Sequence, residues 1–281
     1  MRFMFCLCSA LMLSTQVPAQ SPAVLDSKVS SVLARLNTND LHKREAAFDE
    51  MTALIREGEK QAGKSDQAAA FAGFFKDHPE QADRIKVGLI ELLKADNVAF
   101  QSENIPQGTY SERDMEHYAE VVNVASSLND ERAIPALVNA MSTGGMAQQA
   151  IFQYGDKALA PVLEQLKISD PLTQSSALSM SFALLAKRGD PSSQAQIQEL
   201  ILSYVKAQSG ATRSIAVQEI GCLENRENFV PLLKEIAKSD PQRLPGKALD
   251  GGDGNEFYPV RADARQVLRD IQNNEGCRSK K

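Results

Sequence analysis

Four short stretches of this 281-residue chain open alike. They are "NDERAIPAL" from Asn129, "GDKALAPVL" from Gly155, "GDPSSQAQI" from Gly189 and "NRENFVPLL" from Asn225. Each starts with Gly or Asn, the residues that most readily take the left-handed conformation closing a helix. Asp130, Asp156 and Asp190 come next in three of them, placed to cap the following helix. Pro135, Pro161, Ala195 and Pro231 then share one position, at intervals of 26, 34 and 36 residues. A spacing within about 20–50 residues points to stacked supersecondary units, each burying its apolar face against the next.

A second motif falls between the first set. "RSIAVQEIG" at Arg213, "RADARQVLR" at Arg261 and "REAAFDEMT" at Arg44 share an arginine, a small residue three later and a large apolar one seven later. Those spacings put Ala216 and Ile220, or Ala264 and Leu268, on one helical face. The small residue lets a neighbouring helix approach, and the large one fills the remaining space. The two motifs together resemble HEAT repeats, the paired antiparallel helices of armadillo-type α-solenoids. The resemblance is good from about residue 119 to 273, fair over 24–57 and poor over 64–110. It implies an all-α solenoid. The competing expectation is an irregular helical bundle made from the same helices.

No segment alternates apolar and polar residues well enough to read as a strand. Helices are expected near 22–36, 40–62, 66–77, 80–95, 111–128, 132–142, 145–154, 157–167, 171–187, 191–207, 211–223, 227–238 and 258–273. Ser111 and Asp114 form a capping pair at the start of the fifth. "DNVAFQSENIPQGT", 96–109, reads as an internal break. The expected organisation is a signal peptide at 1–19, divergent helical repeats over 20–110 and HEAT-like repeats over 111–281, with an inserted loop at 239–257.

The signal-peptide reading rests on Arg2, the apolar run from Phe3 to Leu13 and the exit Val17-Pro18-Ala19. That run is too short to span a bilayer, and cleavage is expected after Ala19. The mature chain would be secreted or periplasmic, with no membrane span, and its net charge would move from -5 to -6 with the loss of Arg2. No basic run offers a counterion-releasing surface, so nucleic acid is not an expected partner. Cleavage also leaves two cysteines, Cys222 and Cys277. Side-by-side second helices of a HEAT array would bring their C-terminal ends to one edge, and an oxidising compartment would then join these two as a disulfide.

Candidate sites are few. Of three histidines, His42 lies in a first helical turn, His78 precedes Pro79, and His117 stands between Glu116 and Glu120. His117 and Glu120 supply two ligands where a zinc site wants three or four, so a solvated helix face is expected and no metal is assigned. "STGGMAQQA" carries Gly144 and Gly145 without the lysine of a phosphate loop, and reads as a turn. "RGD" at 188–190 falls in the repeated Gly-Asp turn. In HEAT arrays the arginine matching Arg44, Arg213 and Arg261 joins a ladder with acidic neighbours, so helix-to-helix support is expected.

The inserted loop is different. Its "DGGDGNE" fails as an EF-hand, since counting from Asp250 or Asp253 misplaces the oxygen ligands and the closing Glu. Long loops in compact arrays are uncommon and often functional. Arg243, Asp250, Asp253, Glu256, Phe257 and Tyr258 are therefore candidate binding residues, with a mobile spacer as the equal alternative. The resemblance implies a non-catalytic scaffold that binds a protein or peptide, with no cofactor and no catalytic residues assigned. An enzyme on a HEAT-like scaffold, as in bilin lyases and alkylpurine glycosylases, and a structural envelope component remain the other classes.

Overall fold

The computed structural model describes residues 22–59, 67–100, 109–143, 145–168, 170–244 and 257–275. The expected signal peptide lies outside them. Thirteen α-helices follow one another among the described residues. They are α1 (Pro22–Leu36), α2 (Leu41–Glu59), α3 (Gln67–Asp77), α4 (Pro79–Phe100) and α5 (Glu112–Ser127). Then come α6 (Ile134–Ala140), α7 (Gly145–Tyr154), α8 (Asp156–Gln165) and α9 (Pro171–Arg188). The last are α10 (Pro191–Tyr204), α11 (Gly210–Ile220), α12 (Val230–Ser239) and α13 (Pro259–Gln272). The chain is all-α over these residues; an isolated bridge between Leu244 and Phe257 is the one β contact among them.

Local chemistry explains most boundaries. Ser111 caps α5 in a full capping box, with Ser111 Oγ accepting from Asp114 N–H and Asp114 Oδ2 accepting from Ser111 N–H. Asp170 and Asp190 each accept an N–H three residues on, from Thr173 and Ser193, ahead of a proline at the first helical position. Positive φ occurs at Asn129, Gly155 and Gly189, three of the four expected helix-closing positions. Asn225 does not adopt it, because a 3-10 turn at Arg226–Phe229 leads into α12 instead. Asp156 differs too. It is the first residue of α8, and Gly155 occupies the cap without a side-chain bond.

The largest departure is α4. It runs through Asp96 and Asn97 to Phe100, past the expected break. Asp-Asn reads as a helix stop because both side chains compete for backbone groups. Here both are buried and bound elsewhere, so the helix continues.

Packing is between near neighbours in sequence. Consecutive helices touch at α1/α2, α4/α5, α8/α9, α10/α11 and α12/α13. Helices two apart also touch, at α4/α6, α5/α7, α6/α8, α7/α9, α9/α11 and α11/α13. One apolar core runs through all of them from Leu25 to Val267. No described helix is long and apolar enough to cross a membrane.

Among the leucines of α6, α8 and α12, Leu137 and Leu233 are fully buried, while Leu163 and Leu232 are only partly so. The last two stand at the edge of their helices' apolar stripes. Leu137→Ala and Leu233→Ala should each cost about 2–5 kcal/mol in chemical denaturation, and Leu163→Ala clearly less.

Candidate functional site

Two of the three recurring arginines are buried, and they are held alike. Arg44 is the fourth residue of α2 and Arg213 the fourth of α11. A helical side chain leans toward its own N-terminus. Each guanidinium therefore reaches a carbonyl six residues back: Arg44 Nη1 donates to Thr38 O at 2.9 Å and Arg213 Nη1 to Ala207 O at 2.8 Å. Each then meets a buried aspartate. Arg44 Nε donates to Asp96 Oδ1 at 2.8 Å, and Arg213 holds both oxygens of Asp240, at 2.7 and 3.0 Å. The expected arginine support is thus present at these two positions. Arg261 differs: its Nε donates to the Asp240 carbonyl at 2.7 Å, and its guanidinium lies 3.9 Å from the Tyr258 ring centre.

Asp96 has a second partner, His117 Nε2, 3.1 Å from Oδ2. His117 is buried and edge-on to Phe48, which overturns the solvated-face expectation. Its neighbours Glu116 and Glu120 do face solvent. Because Asp96 is 0% exposed, no dissolved substrate reaches this pair directly, and it serves as a junction of α2, α4 and α5. Asn97 extends the junction, accepting from Tyr118 OH at 2.6 Å and donating to Ala136 O of α6 at 2.8 Å.

The second polar pair lies in a cleft. Val205, Ala207, Arg213, Leu232, Ile236 and Asp240 help line an open hollow of about 360 Å³ between the end of α10, α11 and α12. The inserted segment starts at its rim. Ser239 still belongs to α12, and Asp240 is buried, so the loop's first leg is anchored and not exposed as a whole. Gln242 N–H donates to Asp240 Oδ1, and the Gln242 side chain lies where a Cβ on Gly210 would stand, which explains a glycine there.

The loop is then closed at its neck. Leu244 and Phe257 exchange two backbone hydrogen bonds, of 2.8 and 3.1 Å. Both side chains stay exposed, at 41% and 43%. Among the candidate loop residues, Arg243 is exposed, Phe257 forms the neck and Tyr258 stacks under Arg261. Asp250, Asp253 and Glu256 lie outside the described residues. Cys222 is disulfide-bonded, and Cys277 too lies outside the described residues. The RGD turn is a helix boundary, with Gly189 left-handed and Asp190 capping α10. Gly145 opens α7 with positive φ.

Sequence reasoning missed Asp96 and Asp240. For Asp96 a signal existed: the stripe Ile85, Leu89, Leu92 and Leu93 reaches it three residues on, and a charge on an apolar stripe needs a buried partner. Asp240 carried no such pattern.

No protein family, no curated protein and no solved structure matches this chain.

Burial pushes the Asp240 carboxyl up, but Arg213 and the Gln242 N–H outweigh it and hold it below the usual carboxylate range. The folded state therefore gains from its charge above an unfolded value of about 3.9 and loses that gain as pH falls through the lowered folded value. Asp240→Ala should cost about 3–5 kcal/mol at pH 7, since it leaves a buried guanidinium without its carboxylate. The stability difference between wild type and Asp240→Asn should be complete at about pH 6 and shrink below about pH 4 in a denaturation series.

Proposed function

We propose that this chain is an exported, non-catalytic α-solenoid of HEAT-like helix pairs that binds another protein or peptide. The observation that carries the reading is the order of packing. From α2 to α9 the described helices touch their immediate neighbours and those two away, and α9, α11 and α13 touch in turn, as stacked repeats do. The same arginine placement in α2 and α11 supports an internal repeat. Residues 1–19 are the export signal in this reading, and the bonded Cys222 supports an oxidising destination.

The binding surface is the cleft beside the α12–α13 loop together with the loop's neck. Leu244 and Phe257 present two large apolar side chains side by side, three residues from the cleft's Pro241. Exposed aromatic and aliphatic anchors next to a concave surface are what a peptide or protein contact uses. The test is capture of extracytoplasmic proteins by the purified chain. One stoichiometric partner should bind wild type and lose at least tenfold in affinity for a Leu244→Glu/Phe257→Glu double variant. Equal binding by both would remove the neck from the interface.

The disulfide is assigned to Cys222 and Cys277. Arg226 Nη1 donates both to Gly221 O at 3.2 Å and to Glu275 O at 2.5 Å. The chain two residues before Cys277 is thus held beside the residue preceding Cys222. Closing a loop of about 55 residues stabilises by around 4 kcal/mol in the chain-entropy model. Peptide mapping without reduction should recover one linked peptide containing both cysteines; two free thiols on exported protein would refute the pairing.

A further inference from the structure

We propose that His42 Nδ1, Glu45 Oε2 and Asp114 Oδ1 form a three-ligand site for a divalent transition-metal cation, zinc in the first instance. The three donor atoms come from the first turns of α2 and α5 and lie within 4.8 Å of one another. His42 Nδ1 stands 3.6 Å from Glu45 Oε2 and 3.8 Å from Asp114 Oδ1. These separations exceed a hydrogen bond. They approach the edge of a zinc tetrahedron, roughly 3.3–3.4 Å for bonds of about 2.0–2.1 Å.

The carboxylates are oriented by their other oxygens. Glu45 Oε1 accepts from Arg113 Nε. Asp114 Oδ2 accepts from Ser111 N–H and Oγ–H, both at 2.7 Å. One oxygen of each acid is thereby engaged, and the other turns to the imidazole. Fixed outer partners of this kind are what hold metal ligands in place. Both acid side chains are 9% exposed, whereas His42 is 79% exposed. The ion would therefore sit on a buried acidic floor and keep a position open to water.

A second observation lies one turn along α5. His117 is buried, its Nε2 is taken by Asp96, and its Nδ1 has no hydrogen-bond partner among the described residues. A buried ring nitrogen without a protein partner is a group that ordered water satisfies. A mixed nitrogen and oxygen set of this composition suits zinc and its neighbours in the first transition row, and not calcium or magnesium.

The site stands apart from the proposed partner surface, which lies at α10–α13. Its test is a titration of the purified, oxidised protein with Zn²⁺ against a chromophoric chelator, with melting followed in parallel. Wild type should take up one equivalent, and its melting midpoint should rise with zinc. His42→Ala, exposed and outside the core, should bind at least tenfold more weakly and lose the zinc-dependent rise. Glu45→Gln should lose at least tenfold as well, while His78→Ala should bind as wild type does. Uptake below half an equivalent by wild type, or a loss under tenfold in His42→Ala, overturns the proposal.

Discussion

A carboxylate with no solvent exposure, Asp96, sits in the last turns of a long helix. Burying such a charge costs several kcal/mol unless its oxygens are met. Arg44 meets one from α2 and His117 the other from α5. Hydrogen bonds are directional where apolar contact is not, so these three helices have one register in which both Asp96 oxygens are met. Asn97, the next residue, does the same work without charge, joining α4 to Tyr118 and to the backbone of α6. Helices on both sides of residues 101–108 are thus tied by a single turn of α4. Asp96 and Asn97, which open the stretch that reads as a break, are where the two parts are joined.

The arginine repeated at α2 and α11 follows from helix geometry. A long side chain in the first turn leans back over the turn that precedes its helix. There it finds carbonyls that no helix satisfies, Thr38 O in one case and Ala207 O and Gln208 O in the other. What remains of the guanidinium needs an acid, and the fold supplies it from different places. Asp96 is inside α4, two helices on, while Asp240 ends α12, the next helix. The arginine is therefore the repeated element, and the acid is an adaptation to each position.

That asymmetry explains what was legible. Helix positions follow from apolar spacing and from caps with local chemistry, as at Ser111, Asp170 and Asp190, so they can be read from a few adjacent residues. The arginine positions can be read because they share a motif. Their acids cannot, since Asp96 is 52 residues from Arg44 and Asp240 is 27 from Arg213. His117 misled for the same reason: Glu116 and Glu120 are close in sequence but point to solvent, and its real partner is on another helix. Where side-chain burial is a matter of degree, as at Leu163 and Leu232, periodicity finds the face but not its edge.

At the other end of the molecule one residue ties several elements together. The Asp240 side chain takes both Arg213 and the Gln242 N–H, and its carbonyl takes Arg261. It thereby ends α12, seats the first leg of the loop against Gly210 and fixes the first turn of α13. Arg261 in turn lies on the Tyr258 ring, next to Phe257 of the neck. Leu244 and Phe257 are thus joined through Tyr258, Arg261 and Asp240 to the contacts that hold α11, α12 and α13 together.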